Sequence, residues 1–275
     1  MREHWSPEDL PWNEFDATKV NPEIAQLIRT AALVEYGGNE YANYLSNVFA
    51  DDAEFLDVVK RWASEEVQHG EVLARWAKLA DPTFDLAEKY KAFRKGFSID
   101  ENASASIRGS RTGELIARCM VETGTSSYYT ALAEATEEPV LKAICLRIAA
   151  DELAHYKLFY THFQRHQKLD ALGRWQRVKI GLSRIAESDD DELSYAYYAA
   201  NVEGVSDEKY DRARMSAAYL SRAYAYYKPR HIERAVGMVL KACGLNPQAF
   251  WRGLVDKLAW WAISRQHRKL QGQAA

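Results

Sequence analysis

The sequence predicts an all-α protein, a four-helix bundle extended by additional helices at its C-terminal end. Three observations predict it. Apolar residues recur in steps of four and three along four long stretches, the spacing of a helix seam that faces a bundle core. No stretch alternates at the period of a strand, and there is no glycine-rich phosphate loop or internal repeat. Each seam also carries a charged or imidazole side chain where packing alone would place an apolar one. An ion buried there without a partner would be strongly destabilising, so these residues need a shared reason.

The first seam is Ile24, Ile28, Ala31, Glu35, Gly38, Ala42, Leu45 and Phe49. The second is Phe55, Val59, Trp62, Glu66, His69, Leu73, Trp76 and Ala80. The third, Leu115, Cys119, Glu122, Thr125, Tyr129 and Leu132, carries one carboxylate, as the first does. The fourth, Leu141, Cys145, Ile148, Glu152, His155 and Phe159, repeats the Glu-x-x-His of the second. Residues three apart share a helix face. One such pair is ordinarily a buried His satisfied by a Glu. Two pairs plus two lone Glu residues form the ligand set of a ferritin-like dinuclear carboxylate site. Four carboxylates also neutralise two divalent ions, so Glu35, Glu66, His69, Glu122, Glu152 and His155 are the candidate metal ligands.

The chain has 275 residues, 47% of them hydrophobic, which suits one large domain or a core with an appendage. The expected division is an extended arm over 1–21, the bundle over 22–168 and a helical region over 169–275 packed on it. A net charge of −3 gives no case for a nucleic-acid partner. Three scattered cysteines make no disulfide framework, and a reducing cytoplasm fits them. The N-terminus has no apolar signal core, and no uninterrupted apolar run approaches the roughly 18 residues of a membrane span.

Taken in order, Pro7 and Pro11 argue against a helix in the arm, and Trp5 and Trp12 are expected to pin it to the bundle. The first helix is expected from Pro22 to Phe49, interrupted at Gly37 and Gly38. Asp51 and Asp52 cap the second, which ends near Ala80 before Pro82. A long crossover follows over 81–111, with a short helix over 86–97 and a loop beyond it. The third helix is expected over 112–135 and the fourth over 139–166. A basic helix over 174–184, an acidic break over 188–191 and helices near 191–203, 207–227, 230–243 and 247–268 complete the chain. Their many tyrosines read as aromatic packing, and Trp251, Trp260 and Trp261 are expected to close this layer onto the core.

Several segments resemble the soluble acyl-(acyl-carrier-protein) desaturases, members of the ferritin-like superfamily. Glu65, Glu66, His69 and Gly70 are similar to that family's E-E-x-x-H-G segment. Ile144, Cys145, Ile148, Ala149, Ala150, Asp151, Glu152 and His155 match its I-C-x-x-I-A-A-D-E-x-x-H. Glu122 and Thr125 fit its E-x-x-T, and Trp5, Pro7 and Asp9 its N-terminal W-x-P-x-D. The resemblance covers roughly residues 1–165. It implies two iron ions that activate dioxygen, bridged by Glu66 and Glu152 with Glu35 and Glu122 terminal. Thr125 would manage protons at the oxygen-binding face, and Trp5, His69 and Asp151 would form an electron-entry chain. An electron donor such as ferredoxin, an acyl carrier protein and a second copy of the chain in a homodimer are the implied partners. Lys91, Arg94 and Lys95, or Arg174, Arg177 and Lys179, would be the basic patch for an acidic carrier.

The departures from that pattern are Gln68 in place of a basic residue, Leu153 and Ala154 in place of a Lys-Arg pair, and Gly37 and Gly38 in place of bulkier residues. The two glycines are candidates for a substrate cavity beside the metals, with close helix contact as the alternative. The expected activity is dioxygen-dependent oxidation of an unactivated C–H bond, desaturation or hydroxylation. Iron storage is the rival, and the long C-terminal region is unnecessary for it.

Overall fold

The computed structural model describes residues 4–187 and 191–274. Residues 188–190 of the expected acidic break lie outside the described residues. The described residues form an all-α helical bundle with no named strand. The arm is a string of three short 3-10 turns, Pro7–Asp9, Trp12–Glu14 and Ala17–Lys19, rather than a fully extended segment. Trp12 sits under the Arg75 guanidinium at 4.0 Å and donates its indole N–H to the Pro7 carbonyl.

Four long units make the bundle. α1 (Pro22–Tyr36) starts at Asn21, whose side chain accepts from the amides of Glu23 and Ile24, and at Pro22, whose fixed φ suits a first turn. α2 (Gly38–Val48) follows after a break at Gly37. The expected single interrupted helix over 22–49 is thus two helices, with the N–H of Gly37 bonded back to Val34 and Glu35. α3 (Ala53–Ala80) is capped by Asp52 and packs along both α1 and α2. The crossover carries α4 (Leu86–Gly96), and α5 (Arg111–Ala135) begins under a Ser110 cap. α6 (Pro139–Leu169) lies along α5 and also meets α3.

Two glycines on this frame are contact points. A Cβ on Gly38 would lie 2.5 Å from Glu66 Cβ, and one on Gly70 would lie 2.6 Å from the Tyr36 backbone N. The break between α1 and α2 therefore rests directly on α3. Gly38→Leu should be overpacked and lose about 1–3 kcal/mol of stability, read by urea denaturation. An unchanged midpoint would show that α2 stands off α3 more freely than this contact allows.

The remaining helices are α7 (Arg174–Ala186), α8 (Asp191–Asn201), α9 (Arg212–Ala225), α10 (Pro229–Ala242) and α11 (Arg252–Ala274). α7 and α10 lie against α5, whereas α8 covers α1 and α4. Tyr195, Tyr198 and Tyr210 pack edge-on or tilted with centroids 4.7–5.6 Å apart, so these rings are packing groups. The C-terminal tryptophans do not close the layer as expected. Trp251 and Trp260 are half-buried and Trp261 is 52% exposed; α11 packs mainly on α9 and α10, and none of its described residues is buried. No described helix is long and apolar enough to cross a membrane.

The apolar core falls into two clusters. One contains Leu33, Leu73, Trp76, Leu132 and Ile148, and the other Leu45, Phe55, Trp62, Cys119 and Phe159. Glu35, Glu66, Glu122 and Glu152 occupy intermediate positions on the same four helices. The polar residues on the seams thus interrupt what would otherwise be one continuous apolar core.

Candidate metal centre

The seam geometry brings six side chains together. Glu35 comes from the last turn of α1, Glu66 and His69 from α3, Glu122 from α5, and Glu152 and His155 from α6. All are buried, from 0% exposure at His69 to 7% at Glu35. Their ligand atoms form two groups, Glu35, Glu66, His69 and Glu152, and Glu66, Glu122, Glu152 and His155. Within each group the atoms lie within 4.8 Å of one another, and the groups share Glu66 and Glu152. His69 Nδ1 is 3.3 Å from Glu152 Oε1, and His155 Nδ1 is 3.0 Å from Glu66 Oε1.

The hydrogen bonds around the cluster say what it lacks. His69 Nε2 is 3.2 Å from Asp151 Oδ2, and His155 Nε2 is 2.7 Å from Glu65 Oε2. With each Nε2 donating to its acid, each Nδ1 of a neutral imidazole presents a lone pair. Those two Nδ1 atoms, Glu122 Oε2 and Glu152 Oε1 are buried and make no hydrogen bond. Four acceptor atoms converging without a donor fit a site for cations. Burial, then Glu66, pushes the Glu35 carboxyl up to about 8, and burial, then Glu152, holds Glu122 well above the usual carboxylate range. Positive charge between these groups would relieve both strains.

The clustered side chains are themselves held. Thr125 donates to Glu152 Oε2 at 2.5 Å and Tyr129 to Glu35 Oε1 at 2.6 Å. Trp5 donates its indole N–H to Asp151 Oδ2 at 2.5 Å and stacks on His69 at 6.2 Å between centroids. His4 Nε2 lies 3.3 Å from the same oxygen. Gln68, where the resemblance expects a basic residue, donates to the Trp5 carbonyl and so fastens the arm. Leu153 and Ala154 sit on the outer side of α6 and make no polar contact with the cluster.

A cavity of about 70 Å³ adjoins the cluster, bordered by Glu35, Glu66, Glu122, Glu152 and Thr125. Gly38 also borders it, but the direction its side chain would take is filled by Glu66. Gly37 is not on the cavity; a Cβ there would meet Glu40 and the Val34 carbonyl. Three neighbours were not singled out from the sequence. Glu65 was signalled only by its place before Glu66, which mirrors Asp151 before Glu152. Tyr129 lies on the third seam one turn after Thr125, and Arg118 one turn before Glu122.

The family model for fatty acid desaturases matches residues 24–178, which include all six clustered side chains. The chain belongs to the fatty acid desaturase family. No curated protein matches it. Membership of the fatty acid desaturase family makes the chain an oxidoreductase, and the clusters of carboxylate and imidazole are groups that could hold the metal such an enzyme uses.

Proposed function

We propose that the protein is a di-iron, dioxygen-dependent oxidoreductase of the soluble acyl-(acyl-carrier-protein) desaturase type, built on a ferritin-like bundle. The observation that carries this reading is the pair of overlapping ligand groups with their four donorless acceptor atoms. Glu66 and Glu152, common to both groups, would be shared by the two ions; Glu35 and His69 would complete the set for one, and Glu122 and His155 the set for the other. When bound, the irons supply the redox chemistry that activates dioxygen and attacks an unactivated C–H bond.

The chain's own residues do the rest. Asp151 and Glu65 fix the imidazole tautomers and make Nδ1 the ligating atom. Tyr129 keeps Glu35 turned inward, and the Thr125 hydroxyl holds a proton at Glu152 Oε2. Val34 and Val121 give the cavity apolar surface that disfavours water. In desaturation two C–H bonds break and a double bond forms. The two substrate electrons, with two from a donor such as ferredoxin, reduce dioxygen to two waters. An acyl carrier protein presents the acyl group, and the working unit is a homodimer in the cytoplasm.

Incubating the reduced, iron-loaded protein with acyl carrier protein substrates and dioxygen tests this. Loss of two hydrogens from the acyl group, by mass spectrometry, is the expected result. Gain of one oxygen would make it a hydroxylase. Dioxygen consumption with no acyl product, in a large closed shell, would sink the reading in favour of iron storage.

The arm supplies a second check. Trp5, Asp151 and His69 form a continuous hydrogen-bonded and stacked path from the half-buried arm to the cluster. Trp5→Ala should leave iron content unchanged and slow reduction of the oxidised centre by an external donor. Equal stopped-flow rates in variant and wild type would show that the arm only packs.

A further inference from the structure

The cavity beside the cluster has a mixed lining. Glu35, Glu66, Glu122, Glu152 and Glu192 border it, and so do Trp62, Arg118 and Arg184. Arg118 is 7% exposed and stands on α5 one turn before Glu122. A guanidinium carries five N–H donors, yet Arg118 makes no hydrogen bond to any described residue, and its Nε is fully buried. It is ion-paired with Glu114, whose Oε1 is 3.7 Å from Nε, beyond hydrogen-bond reach. The other oxygen of Glu114 is taken by Tyr44 and Ser106, each at 2.8 Å. Arg118 otherwise lies over the Tyr41 ring at 4.9 Å, and Tyr41 spends its hydroxyl proton on Glu192, which also borders the cavity. A second buried donor without an acceptor is the indole N–H of Trp62, 4% exposed.

Both are donors without a hydrogen-bond acceptor. A purely apolar chain in the cavity would leave the buried Arg118 Nε–H and Trp62 N–H without one, which is the costly arrangement for buried polar groups. An acceptor would satisfy both, and a carboxylate matches the planar fork of a guanidinium with two parallel hydrogen bonds. The cavity's volume of about 70 Å³ is far below the roughly 300 Å³ at which sites for larger organic ligands begin. It has room for a small polar group on a short stem. We propose that this cavity receives a carboxylate carried by the substrate, bound by Arg118 with help from the Trp62 N–H, so that the carbons next to that carboxylate face Glu122 and Glu152. The inference rests on the reading of the cluster as an oxidising metal site and narrows its substrate to an acid. The carboxylate has two possible sources: a short free acid, or the far end of an acyl thioester that enters tail first.

Calorimetric binding to the iron-loaded protein tests this without turnover. Hexanoate is compared with hexanamide, and the adipoyl thioester of pantetheine with the hexanoyl thioester. The wild type should prefer the charged member of at least one pair by about tenfold or more. Preference in the first pair assigns a free acid, and preference in the second an acyl chain with an acidic end. Arg118→Gln should abolish the preference at unchanged iron content. Should that variant fail to fold, Arg118→Lys should keep the preference at lower affinity, and Trp62→Phe should weaken the charged probe alone by several-fold. No preference in the wild type overturns the proposal. So does a preference that survives Arg118→Gln, or one that survives both substitute variants undiminished, because the acid would then be bound by the metal. Failure of the oxidase reading looks different: the charge preference and its loss in Arg118→Gln would stand while no acid is oxidised.

Discussion

A Glu152→Ala, His155→Ala protein grown in iron-rich medium should contain little of the roughly two iron equivalents per chain expected of wild type. The double change removes one acid common to both ligand groups and the imidazole of one of them, so neither group is left intact. Metal analysis reads the result, and iron content equal to wild type would end the assignment. Stability supplies a second, opposite signal. With iron bound, wild type gains by mass action, about 4 kcal/mol when free metal is a thousandfold above its dissociation constant. In a chelator the order should close or reverse. Burial, then the charges of Glu66 and Glu35, pushes the Glu152 carboxyl up, so deleting that side chain relieves a repulsive cluster. Substituting only Glu65 by Gln or Asp151 by Asn should weaken metal affinity by about 10–100-fold, since each orients one imidazole.

Glu138→Ala should be the most damaging single change away from the cluster, at about 3 kcal/mol or more. Glu138 is fully buried and accepts from four donors. It caps α6 through the amides of Val140 and Leu141, at 3.3 and 2.7 Å. It also accepts the indole N–H of the fully buried Trp76 at 2.6 Å and the Asp16 amide of the arm at 3.2 Å. Alanine would strand the Trp76 donor in the core, uncap the helix that bears Glu152 and His155, and release the arm. Denaturation by urea, followed by helix signal, measures the loss. A change below about 1 kcal/mol would mean that water replaces the carboxylate without strain.

The seams were legible because a 3.6-residue period survives in any sequence that must bury one helix face. Glu66, His69, Glu152 and His155 were legible for the converse reason, as charges on apolar rows. What the sequence hid was mostly tertiary. Nothing local distinguishes a helix interrupted at Gly37 from two helices; the decision rests on α3, where Gly70 and Glu66 meet the turn. The bond from His155 to Glu65 spans 90 positions, and that from Tyr129 to Glu35 spans 94, so neither has a spacing to read. The C-terminal tryptophans misled for a different reason. Apolar residues are common at protein surfaces, and only the packing partner shows which ones are covered.

The crossed pairing of the two Glu-x-x-His helices also bears on when the site comes into being. His69 waits for an acid 82 positions further along, and His155 relies on one 90 positions earlier. A nascent chain leaving the ribosome therefore exposes α3 before anything can orient its imidazole. At ordinary translation speeds the delay is roughly 4–16 s, long against the docking of helices. During that interval Glu35, Glu66 and His69 are loose ligands for whatever ion is nearby, with no selectivity imposed by geometry. On this geometry, selection among metals would fall to the finished bundle rather than to the emerging chain.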